Sequence, residues 1–70
     1  MGGEEEQRVI IPEGTELGGA LFATGDIAGR VVGELADQEA IIVETNMRVN
    51  GLFVTEQYQV VKRAVRYPTQ

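Results

Sequence analysis

Seventy residues without cysteine, histidine, tryptophan or serine exclude disulfides, thiolate or imidazole metal sites and the usual parts of nucleophilic catalysis. A chain this short is at most one domain and buries only about 60% of its unfolded surface, so oligomerisation or close packing has to support it. The hydrophobic share of 43% fits a folded domain, and a net charge of −5 works against binding nucleic-acid phosphates.

Residues 1–7 carry Gly2-Gly3 and then Glu4-Glu5-Glu6, which read as a flexible acidic tail. Arg8-Val9-Ile10-Ile11 is a β-branched run stopped by Pro12 and reads as a strand. Pro12-Glu13-Gly14-Thr15 has turn chemistry. Leu17 to Ala23 contains Gly18-Gly19 and then Ala20-Leu21-Phe22-Ala23, which suits a strand with a bulge, one helical turn being the alternative. After the Thr24-Gly25-Asp26 turn, Ile27 to Leu35 reads as a strand. Ile27, Val31 and Leu35 share its inward parity, with Gly29 and Gly33 at bends or close backbone approaches.

Asp37-Gln38-Glu39 makes a polar connection to Ala40-Ile41-Ile42-Val43-Glu44-Thr45, whose apolar run suits a strand buried on both faces. Asn46 to Gly51 reads as a loop ending in the hairpin dipeptide Asn50-Gly51. Leu52-Phe53-Val54-Thr55 follows as a strand, and Glu56-Gln57-Tyr58-Gln59 as a tight turn. Val60 to Tyr67 reads as a last strand ending at Pro68, and its three basic residues suit a sheet edge. No apolar run reaches the ~20 residues a membrane helix needs, and no leader pattern is visible. The expected location is cytoplasmic.

Five or six short strands joined by Gly-rich turns predict an all-β small barrel, closed or nearly closed, over residues 8–67, with 68–70 as a C-terminal tail. One segment adds a resemblance. Its opening is Gly25-Asp26-Ile27-Ala28-Gly29-Arg30, followed by Val32-Gly33-Glu34-Leu35, the acidic turn 37–39, the apolar strand 40–44, and a return through Gly51-Leu52-Phe53-Val54-Thr55 with Tyr58 and Val61. In this pattern residues 24–67 resemble the PRC-barrel family, named for a domain of photosynthetic reaction centres and found also at the end of a ribosome-maturation protein. Thr55 departs from it, because the family often has proline after the position of Val54. The resemblance implies an SH3-like or PRC-barrel-like fold and a module that contacts protein or RNA within larger machinery, with no catalytic residues to carry over.

The residue types with chemical capacity are few. None of the five threonines has a histidine to activate it, and Lys62 is the sole lysine, read as a solvated strand residue. Glu34, Asp37, Glu39 and Glu44 flank one hairpin without calcium-loop spacing and read as surface charge. The glycines form neither a phosphate loop nor a dinucleotide fingerprint. No cofactor and no metal are expected. Arg48, Lys62, Arg63 and Arg66, with Phe53, Tyr58 and Tyr67, offer the one place for nucleic acid, but the acidic balance opposes it, and core packing explains Phe53 and Tyr58 better.

Charge is unevenly spread. Residues 1–44 carry ten acids against Arg8 and Arg30, whereas 45–70 carry Glu56 against four cations. Ile10-Ile11, Leu21-Phe22 and Val60-Val61 place adjacent large residues on opposite strand faces, more than a thin barrel can bury, so the outward members should form an interface. The expected function is a non-catalytic protein–protein interaction or assembly module that self-associates through that apolar outer face. Arg63 and Arg66 then meet the acidic first part of a neighbouring copy. The alternative is an acidic adaptor or inhibitor that occupies a basic site on a larger enzyme or nucleic-acid-binding partner.

Overall fold

In the computed structural model the described residues are 7–68; the Glu4-Glu5-Glu6 segment and residues Thr69 and Gln70 lie outside them. The chain is all-β, with six strands and two 3-10 turns among the described residues. Strand β1 is Arg8–Ile11, β2 Glu16–Gly18, β3 Leu21–Phe22, β4 Ile27–Leu35, β5 Ala40–Val49 and β6 Leu52–Val61. Four of them form an antiparallel sheet in the order β1-β4-β5-β6, and β2 and β3 pair as a small separate hairpin.

The longest ladder is β5 with β6, in unbroken register from Ala40 opposite Val61 to Val49 opposite Leu52. Asn50 and Gly51 close it with φ of 52° and 81°. Positive φ at both central residues is the two-residue turn whose twist matches the strands, and Asn-Gly is the sequence that best tolerates it. This ladder corrects two expectations. Residues 46–49 are strand rather than loop, and Glu56-Gln57-Tyr58-Gln59 continue β6 rather than turning. Glu56, Gln57 and Gln59 have weaker strand preference than Tyr58 between them, but each of the four lies opposite a β5 residue, and pairing overrides propensity.

The expected last strand over 60–67 is also broken. A 3-10 turn at Lys62–Ala64 follows β6, and Arg66 then bridges to Ile10 on the far side of the domain. Ile10 N–H donates to Arg66 O at 2.8 Å and Arg66 N–H to Ile10 O at 2.9 Å. The segment after β6 therefore flanks β1 on the edge that β4 leaves open. No strand ladder joins β6 to β1 among the described residues, so the hydrogen-bonded sheet does not close into the expected barrel.

Strand β4 carries a register shift between Val31 and Gly33, and Ile27, Val31 and Leu35 are each half-buried. Gly29 explains how β4 can cross so close to β5. A Cβ there would lie 2.6 Å from Val43 Cγ1 and 2.7 Å from the Glu44 carbonyl oxygen. The polar connection 36–39 is a 3-10 turn at Ala36–Gln38 followed by Glu39 in the left-handed region.

The core is small and aliphatic. Val9, Ile11, Val43 and Val60 are its largest fully buried side chains, joined by Ala23, Ile41 and Val65, with Leu17, Ile27, Val31 and Tyr58 packed around them. Full burial of a side chain of this size contributes about 1.5–3 kcal/mol, so each is a sizeable share of the stability of so short a chain. Among the described residues Thr45 is the buried polar one, its hydroxyl donating to the Glu56 carbonyl oxygen at 3.5 Å.

Candidate functional site

The core face of the β5–β6 hairpin does not end where the core ends. Side chains alternate across a strand and cross-strand partners share a face. Ile41, Val43 and Thr45 of β5 therefore share a face with Val60, Tyr58 and Glu56 of β6, and this is the face that the core covers. The same face continues as Met47, Val49, Leu52 and Val54, which the described residues leave largely open. Leu52 is 69% exposed, Met47 49%, Val49 45% and Val54 36%. The cause is register. The ladder from β4 to β5 runs out at Arg30 opposite Glu44, and the rest of β4 pairs with β1 alone, so, among the described residues, positions 45–49 have β6 as their only ladder partner.

At the base of this projection lies an open cleft of about 570 Å³. One wall is the β2–β3 hairpin with Leu17, Leu21 and Phe22, the other the hairpin residues Thr45, Met47 and Tyr58, and Ile27 is also in the lining. Leu21 and Phe22 are 56% and 52% exposed. A single apolar surface thus runs from the β2–β3 hairpin, through the cleft, to the tip at Leu52. The Tyr58 hydroxyl donates to a Glu56 carboxylate oxygen. That hydrogen bond, first, and partial desolvation hold the phenol above its ordinary titration value, with the nearby Glu56 charge adding to it.

The opposite face of the hairpin is polar. Asn46 and Thr55 hydrogen-bond across the ladder at 2.8 Å, and the Arg48 guanidinium lies 5.2 Å from the centre of the Phe53 ring. Phe53, expected in the core, is 74% exposed and serves as this platform. The expected basic cluster is therefore divided. Arg48 is near the tip opposite Phe53, whereas Lys62 follows Val61, roughly 30 Å further along the chain at a strand rise of about 3.3 Å per residue.

The interface residues expected from sequence separate in the same way. Ile11 and Val60 are core residues and are not available at the surface. Ile10 is half-buried between Ala28 on β4 and Arg66. Val61 is exposed and lines a shallow depression with Thr15, Glu16, Arg63 and Ala64. Leu21 and Phe22 alone of the set belong to the apolar cleft. Arg66 is bound to Asp26 at 3.1 Å and Lys62 to Glu34 at 2.6 Å, so part of the charge asymmetry is satisfied within one chain. The Glu34 contact raises the Lys62 ammonium above its ordinary value.

Of the carboxylates that flank the β4–β5 connection, Glu44 on β5 accepts from Arg30 at 2.7 Å and Glu34 on β4 from Lys62. No group of three acidic, histidine or cysteine side chains fit to hold a metal occurs among the described residues. None of their helices is long and apolar enough to cross a membrane.

Met47, Val49, Leu52 and Val54 escape a reading that takes 46–51 as a loop. A signal is present nonetheless: Met47 and Val49 alternate with Asn46 and Arg48 ahead of Asn50-Gly51, and the apolar run Leu52-Phe53-Val54 follows it. Comparison of the chain with family models, curated proteins and solved structures finds no match.

Proposed function

We propose that this protein is a non-catalytic assembly module that self-associates through the apolar face of its projecting hairpin and the adjoining cleft. The observation that carries the reading is the continuation of the core face beyond the core, as Met47, Val49, Leu52 and Val54, into solvent. A two-stranded ribbon with an uncovered apolar face is at best marginally stable in water, and a third layer or strand from another molecule supplies what it lacks. The fold proposed for this role is the small SH3-like or PRC-barrel-like type, in which a 3-10 turn leads the last segment back to β1.

The electrostatic contribution to assembly is smaller than the sequence suggests, because Lys62 and Arg66 already meet Glu34 and Asp26. The test is size-exclusion chromatography with light scattering over a concentration series at low and high salt. A defined oligomer at both salts is expected, because apolar burial is not screened. A monomer throughout the series overturns the reading.

A further inference from the structure

We propose that the hairpin tip of one copy seats in the cleft of a second copy, and the reverse, to give a closed two-fold dimer. The inference rests on the self-association reading and specifies its geometry. Each chain carries one apolar tip, Val49 and Leu52, and one apolar cleft, lined by Leu17, Leu21, Phe22, Ile27, Met47 and Tyr58. Tip and cleft lie on the same face of the same ribbon, so a single two-fold axis satisfies both.

The spacing supports this. Place the axis midway between two ribbons packed face to face at the ~10 Å separation usual for stacked sheets, parallel to the ribbon plane, perpendicular to the strands and level with the Met47–Val54 cross-strand pair. The Val49–Leu52 pair is two residues past the axis, about 7 Å at strand rise. It then lies over the partner's Thr45–Glu56 pair, two residues on the other side, and Thr45 is part of the cleft lining. An axis of this kind repeats no contact outward and closes the assembly at two copies.

The area is also adequate. Leu21, Phe22, Met47, Val49, Leu52 and Val54 expose between 36% and 69% of their surface. At roughly 170–240 Å² for each when fully exposed, they offer on the order of 600 Å² per copy, or about 1,200 Å² for two, the lower bound for a specific stable interface. The polar face, with Asn46 hydrogen-bonded to Thr55 and Arg48 on Phe53, stays in solvent, which distinguishes the two sides of the ribbon. The competing arrangement is edge pairing of β6 with a second β6, which leaves the apolar face uncovered.

The native chain has no cysteine, so single introduced thiols report unambiguously. Leu52→Cys marks the tip, and Thr24→Cys, an exposed residue of the cleft lining, marks the acceptor. The two variants are mixed, equilibrated and oxidised mildly, and the products are resolved by mass alongside the light-scattering mass of the native chain. Tip-in-cleft packing predicts a native dimer and a mixed disulfide joining a Thr24→Cys chain to a Leu52→Cys chain, in excess of the twofold statistical advantage that random pairing gives. A disulfide forms only where β-carbons come within about 4 Å. A native dimer in which two Leu52→Cys chains link mainly to each other overturns the tip-in-cleft geometry and leaves self-association standing. A monomeric native chain overturns both.

Discussion

Of the described glycines, Gly29 is the one where an added Cβ would meet its nearest neighbours most closely, and replacing it with alanine tests whether β4 and β5 are packed as described. The added Cβ meets Val43 Cγ1 at 2.6 Å, Glu44 O at 2.7 Å and Thr45 Cγ2 at 3.1 Å. Favourable carbon contacts are about 3.5–4.0 Å, so the shortfall is near 1 Å against Val43 Cγ1, and the Glu44 carbonyl beside it is backbone that no rotamer change can move. Overpacking of this kind costs about 1–3 kcal/mol, offset by about 0.4–1 kcal/mol from the less flexible unfolded chain. A net loss of about 1–2 kcal/mol lowers Tm by about 4–16 °C in a domain of this size. Gly25→Ala is the control, because a Cβ there meets nothing within 4 Å. It retains only the unfolded-state gain and should match or slightly exceed the native chain.

The assay is urea and thermal unfolding followed by circular dichroism, with an unchanged m-value confirming that both variants unfold from the same compact state. Val43→Ala should cost less in the Gly29→Ala background than alone, because it removes the Cγ1 in the way. Gly29→Ala as stable as Gly25→Ala would refute the close crossing of the two strands.

Leu52→Asp places a charge at the exposed tip. It should leave the monomer's stability within about 0.5 kcal/mol while weakening self-association, read by melting at low concentration and by light-scattering mass. Ile11→Val, at a fully buried position, should cost about 0.5–1.5 kcal/mol in urea unfolding, and no loss would remove Ile11 from the core. Gly51→Val forces a β-branched residue to φ of 81° and should cost at least about 1–2 kcal/mol, with faster amide exchange at 46–55 as the local readout. Glu56→Gln should lower the Tyr58 titration toward the ordinary 10.0, followed by phenolate absorbance with Tyr58→Phe as the blank. Tyr58 and Lys62 are both raised in the folded state. Their contribution is therefore complete below their unfolded values near 10 and is lost as pH rises through the higher folded values, which predicts an alkaline, not an acid, weakening from these two groups.

What the sequence made legible was local. The β-branched run 8–11 ending at Pro12, the apolar run of β5 and the Asn50-Gly51 turn each carry their own signal, and each is where it was expected. The continuity of β6 through Glu56-Gln57-Tyr58-Gln59 was not legible, because those residues are strand only by virtue of the β5 residues opposite them. Nor can alternation distinguish Val43 from Met47. Both are inward by parity, and only the point at which β4 stops pairing, at Arg30 with Glu44, leaves one buried and the other bare. The 3-10 turn at 62–64 interrupts a run whose loose alternation reads as uninterrupted strand. The candidate surface was thus half visible: Leu21 and Phe22 from their composition, the hairpin face only from its register.

The bridge between Ile10 and Arg66 has a mechanical corollary. It is antiparallel, so the chain before Ile10 and the chain after Arg66 leave it in the same direction. Tension between those two segments would peel the paired hydrogen bonds one after the other rather than load them together in shear. Tethered at both ends, the domain would yield first at this seam, releasing Val65 from the core while the β5–β6 ladder, which lies off the line of force, stayed zipped.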